Sequence, residues 1–84
     1  MEIKLADRIV LDPENCAGKP TIKGTLLKVE FILKLLALGW TYDQLVNEYD
    51  LEIADILAVL EYAHQTVSGE QIYPATTDQE SEIN

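Results

Sequence analysis

The sequence predicts a mainly α domain in which three helices, in the order of a helix-turn-helix, follow a short N-terminal β ribbon. Three observations predict it. Val29, Ile32, Leu33 and Leu36 recur at the i, i+3, i+4, i+7 spacing of one buried helix face, and Gly39 follows where a left-handed cap residue belongs. Thr41-Tyr42-Asp43-Gln44 has the spacing of a capping box opening a second helix. A third apolar-periodic run, about Glu52 to Val67, stops at Ser68-Gly69.

The first 25 residues read as short extended pieces joined by turns. Arg8-Ile9-Val10-Leu11 is β-prone and is stopped by Asp12-Pro13. Gly18-Lys19-Pro20 is a second break, after which Thr21-Ile22-Lys23 is expected to pair with the first strand until Gly24 ends it. Two strands alone are marginal, so this ribbon has to pack on the helices. The first helix is expected over Val29 to Leu38. Phe31, Leu35 and Leu38 form a second apolar stripe, nearly opposite the first at 100° per residue, and this stripe is the candidate contact of a homodimer. The second helix buries Leu45, Val46 and Tyr49 and places Asp43 at the positive end of its dipole. The third is expected to take Asp50 as its cap and to bury Ile53, Ile56, Leu57, Leu60 and Val67. The chain therefore divides into a helix-turn-helix-like domain with its β element, residues 1–69, and an acidic tail, residues 70–84. Ile72 and Tyr73 are the tail residues best suited to hold a partner.

Eighty-four residues make one domain. The longest apolar run, Phe31 to Leu38, is interrupted by Lys34 and falls short of the roughly 18 residues of a membrane span. Met1-Glu2-Ile3-Lys4 has no apolar signal core, so the expectation is a cytoplasmic protein with no membrane partner. Cys16 is the only cysteine, and an unpaired thiol suits a reducing compartment. Charge is the most informative bulk property. Residues 1–34 hold all six basic residues and five acidic ones; residues 35–84 hold ten acidic residues and no Lys or Arg. The halves carry +1 and −10, which together give the net charge of −9. Contacts to nucleic acid or to an acidic partner therefore fall to Arg8, Lys19, Lys23 and Lys28, while the acidic half repels nucleic acid and suits a basic protein surface.

No constellation of side chains calls for catalysis, a cofactor or a metal. Gly18-Lys19-Pro20-Thr21-Ile22-Lys23-Gly24-Thr25 is one residue too long for a phosphate loop, and Leu26 stands near where the loop lysine is needed. Its glycines are expected to shape turns. His64 has no paired Ser, Cys or second His and is expected to pack beside Leu60. Cys16 lacks an activating base. The presumed reading helix opens with Glu52 and Asp55 and later carries Glu61, where base and phosphate contacts need Arg or Lys. DNA binding is expected to be weak, and the chain is expected not to be an enzyme.

From Arg8 to Ala63 the sequence resembles the prokaryotic domain-of-unknown-function family 433 (DUF433), which is grouped with antitoxin-like helix-turn-helix proteins. Arg8-Ile9, Asp12-Pro13, Gly18-Lys19-Pro20 with Ile22, Gly24-Thr25 and Val29 carry the resemblance, with Leu35-Leu36, Gly39, Tyr49, Asp55-Ile56, Leu60 and Tyr62-Ala63 further along. It implies a winged-helix-like or homeodomain-like fold behind a short β element. It also implies the antitoxin of a toxin–antitoxin pair, with a PIN-type ribonuclease as the partner. Leu26 stands where the family usually has Arg, and Lys28 where it usually has Pro. The first functional expectation is a non-enzymatic module that binds a partner protein. The alternatives are a dimeric DNA-binding regulator and an interaction domain of another role.

Overall fold

The computed structural model describes residues 1–69. The expected tail, with Ile72 and Tyr73, lies outside the described residues. Within them, a three-stranded antiparallel sheet, β1 (Ile3–Ala6), β2 (Ile9–Leu11) and β3 (Thr21–Ile22), precedes three helices, α1 (Val29–Ala37), α2 (Tyr42–Tyr49) and α3 (Ile53–Ser68). The fold is mainly α with a short β element, as the sequence predicts. The strand Ile3–Ala6 is an addition to the expected two-strand ribbon. It pairs with β2 in the register Ile3 to Leu11, Lys4 to Val10 and Ala6 to Ile9, and the extra residue Leu5 forms a bulge.

Turn chemistry sets the sheet. Asp7 and Arg8 connect β1 to β2, with Arg8 in the left-handed region at φ +66°. After β2, Asp12 accepts hydrogen bonds from the Glu14 N–H at 2.9 Å and from Asn15 Nδ2 at 2.8 Å. These bonds, with the terminal ammonium at 3.4 Å, hold its carboxyl below the ordinary carboxylate range. Cys16, Ala17 and Gly18 all have positive φ, so the chain reverses through a left-handed turn, inside which Cys16 Sγ donates to the Leu26 carbonyl at 3.4 Å. The segment that superficially resembles a phosphate loop is closed on itself. Thr25 Oγ1 donates to the Ile22 carbonyl and accepts from the Leu27 N–H, and Gly24 supplies φ +82°. The Val29 N–H donates to the Pro20 carbonyl, which ties the start of α1 to the sheet.

The helix boundaries follow local signals. Gly39 takes φ +101° after α1. Thr41 and Gln44 form the expected reciprocal capping box of α2: Gln44 N–H to Thr41 Oγ1 at 3.1 Å, and Thr41 N–H to Gln44 Oε1 at 2.8 Å. Thr41→Ala is expected to cost about 1 kcal/mol, read as a lower denaturant midpoint with an unchanged slope. Asp50 does not cap α3. It ends α2 in the left-handed region at φ +56°, donating its N–H to the Val46 carbonyl. The cap of α3 is Glu52, whose N–H donates to Asp55 Oδ2 at 2.9 Å.

The core joins Ile9 and Ile22 of the sheet to Val29, Ile32 and Leu35 of α1, Leu45 of α2, Leu51, and Ile56 and Val59 of α3. Two sequence-based expectations are corrected here. Leu35 belongs to this core, and Phe31 is half-buried with its ring edge-on to Tyr49, centroids 5.6 Å apart. Only Leu38, 68 % exposed, faces outward, so Phe31, Leu35 and Leu38 do not form one surface stripe. The cause is that α1 packs against α3 on one side while Phe31 meets Tyr49 of α2. On α3 the buried side is centred between Ile56 and Val59 rather than on Leu57. Val59 lies about 60° round the helix from Ile56, away from Ile53 and Leu57. Ile53 and Leu57 are consequently 42 % and 51 % exposed, His64 on their side of the helix is exposed, and Val67 projects from the last turn.

Candidate functional site

Arg8, at the tip of the β1–β2 connection, reaches across to the start of α3. Its Nη1 donates to Glu52 Oε1 and to Asp55 Oδ1, each at 2.9 Å. Asp55 first and Glu52 second hold the guanidinium pKa above its ordinary value. Both carboxylates also sit at the positive end of the α3 dipole. Asp55, whose side chain is mostly buried, thus serves two elements: one oxygen caps the helix and the other holds Arg8.

Beside this joint a groove of about 440 Å³ runs between the sheet and the outer side of α3, lined by Asp7, Arg8, Ala54, Leu57, Ala58 and Glu61 among others. Ala54 and Ala58 lower its floor, Leu57 offers apolar surface, and Asp7 and Glu61 supply negative charge. An apolar strip with acidic margins is the complement of an amphipathic basic segment.

The four cations singled out in the sequence are not gathered on one surface. Arg8 and Lys23 line one groove of about 250 Å³ together with Lys4. Lys23 Nζ lies 3.6 Å from Glu2, and Lys19 Nζ lies 3.2 Å from Glu30 on α1. Lys28 borders a different groove, about 550 Å³, with Lys34, Leu26 and Phe31. Among the described residues, Lys28 makes no ion pair, whereas Arg8, Lys19 and Lys23 each face a carboxylate of their own chain. No local pattern signals the Arg8 joint, because its partners are 44 and 47 residues away. Leu57, expected in the core as an apolar residue of the helical pattern, lies in the groove instead, 51 % exposed.

A family model described as Protein of unknown function (DUF433) matches residues 9–63, well over half of the chain. The chain belongs to the DUF433 family. Searches of the curated proteins and of the solved structures give no match. The DUF433 match starts on the first residue of β2 and ends inside α3, one residue short of the expected 8–63 span at its N-terminal end. It includes Glu52, Asp55 and the α3 wall of the groove except Gln65; Arg8 and β1 precede it. Among the described residues, no helix is long and apolar enough to cross a membrane.

Proposed function

We propose that this DUF433 chain is a non-enzymatic module that binds a basic partner protein on the outer side of α3, in the manner of an antitoxin holding its toxin. The observation that supports this most is the Arg8 joint. It ties up the arginine at the start of α3 with Glu52 and Asp55, so the first turn of that helix offers no free cation. A helix that reads a major groove needs donors at this place. The apolar strip of Leu57, Ala54 and Ala58 beside Asp7 and Glu61 offers what a basic protein segment needs instead.

The reading is tested by co-expressing the full chain with the product of the adjacent gene, a PIN-type ribonuclease being the expected class, and measuring their affinity. Leu57→Lys is expected to weaken the complex by tenfold or more, about the effect of inserting a charge at the centre of an interface. The same protein is expected to shift its own promoter DNA only weakly. Tight, steeply salt-dependent binding to that duplex, with no binding to the neighbouring product, overturns the reading in favour of a DNA-binding regulator.

A further inference from the structure

We propose that two copies of this chain pair edge to edge through β1, forming one six-stranded antiparallel sheet. The sheet runs β1-β2-β3, so it has two edges. The β3 edge is closed: Thr21 bridges to Lys28, and the Ile22 N–H donates to the Leu27 carbonyl. The outer edge of β1 pairs with nothing among the described residues. The register sets Ile3 opposite Leu11, on the face of the sheet that carries the buried Ile9. That apolar face runs out at the edge, leaving Ile3 46 % and Leu5 38 % exposed.

The occupant is chosen by charge. Met1-Glu2-Ile3-Lys4-Leu5 is complementary to itself when reversed about Ile3. A two-fold axis at Ile3 sets Glu2 against Lys4 of the second copy, twice over, with Ile3 beside Ile3 and Met1 beside Leu5. Opposite charges directly across an antiparallel pair stabilise it, and like charges there destabilise it. Centring the axis on Lys4 would set lysine against lysine, centring it on Glu2 would set glutamate against glutamate, and the bulge disfavours an axis at Leu5, so the register at Ile3 is favoured. Lysine on an open strand is a common guard against unselective pairing, and here the register at Ile3 is the one that satisfies it. The chains carry −9 each, but residues 1–34 carry +1, so little of the mutual repulsion falls at this edge. The bulge at Leu5 bends the strand and ends the paired stretch. Once joined, the new sheet ends on β3 at both sides, where the edge is closed, so assembly stops at two copies.

Sedimentation of the full chain at about 100 µM tests the proposal, that concentration being suited to a short, micromolar contact. Wild type is expected to sediment as a dimer. Lys4→Glu and Glu2→Lys each turn both cross-strand pairs repulsive and are expected to weaken the dimer by about tenfold or more. An equimolar mixture of the two variants is expected to dimerise again, because each supplies the charge that the other lacks. A monomeric wild type, variants that dimerise as well as wild type, or a mixture that stays monomeric overturns the proposal. Thermal melts of each variant establish that it is folded. Amide exchange needs no substitution: the outward N–H groups of β1 are expected to exchange faster on dilution. Rates independent of concentration overturn the proposal as well.

Discussion

Ile56→Ala is expected to lower the stability of the protein by about 3 kcal/mol, within the range for a fully buried Ile cut back to Ala. Ile56 is fully buried where α3 meets the sheet and α1, in a core whose neighbours relax only partly around a lost side chain. A domain of this size has a total margin of roughly 4–12 kcal/mol, so the loss is a large fraction of it and corresponds to a fall in Tm of about 15 °C. Leu57→Ala, one residue on, is the control. Half its surface is already in water, and its truncation is expected to cost about 0.5 kcal/mol or less. Urea titrations of the two variants decide which side of α3 is packed. Equal losses would mean that the helix is turned toward Leu57, and with it the proposed binding groove would disappear into the core.

The second large effect is expected at Asp55. Asp55→Ala removes the acceptor for the Glu52 N–H at the start of α3, which by itself costs about 1 kcal/mol, as for other capping residues. It also leaves Arg8 without the better shielded of its two carboxylates. The total loss is therefore expected to exceed that of Thr41→Ala, where only a cap is removed. The excess is expected to vanish when Asp55→Ala is made in an Arg8→Ala background, because the double-mutant cycle then has no pair left to break. Asp55→Asn separates the two roles further: its amide oxygen can still cap, but it carries no charge for Arg8. An Asp55→Ala loss that is the same with and without Arg8 would reduce the joint to a bystander.

What the sequence showed and hid divides by range. The capping box of α2 and the glycine after α1 were legible because each is settled by residues within one or two turns. Asp50 misled for a related reason. Aspartate is favoured both as a helix cap and, among residues other than glycine, in the left-handed region, and the chain uses the second property to end α2 rather than the first to begin α3. The packed side of α3 was not legible because Ile53, Ile56, Leu57, Val59 and Leu60 surround most of the helix, so periodicity alone could not centre the face; the sheet and α1 decide in favour of Val59. β1 was hidden because Ile3-Lys4-Leu5-Ala6 is four residues with no bounding turn before it, and its strand character comes from β2. The candidate site was legible only in its charges. The acidic start of α3 could be read off directly, but nothing near Arg8 in the sequence indicates that Glu52 and Asp55 hold it.

The Arg8 joint also bears on how the chain assembles. α1, α2 and α3 follow one another through short connections, and their mutual contacts close small loops. Arg8 meets Glu52 and Asp55 only after a loop of more than forty residues has closed, at an entropic cost that local pairs do not face. Docking of the sheet onto the start of α3 therefore belongs among the late contacts of folding. While the backbone is whole, the chain between them keeps the two ends at high effective concentration. A single cut in the connection between β3 and α1 would turn the same joint into a meeting of two separate molecules, and the ion pairs alone are too weak to hold these together.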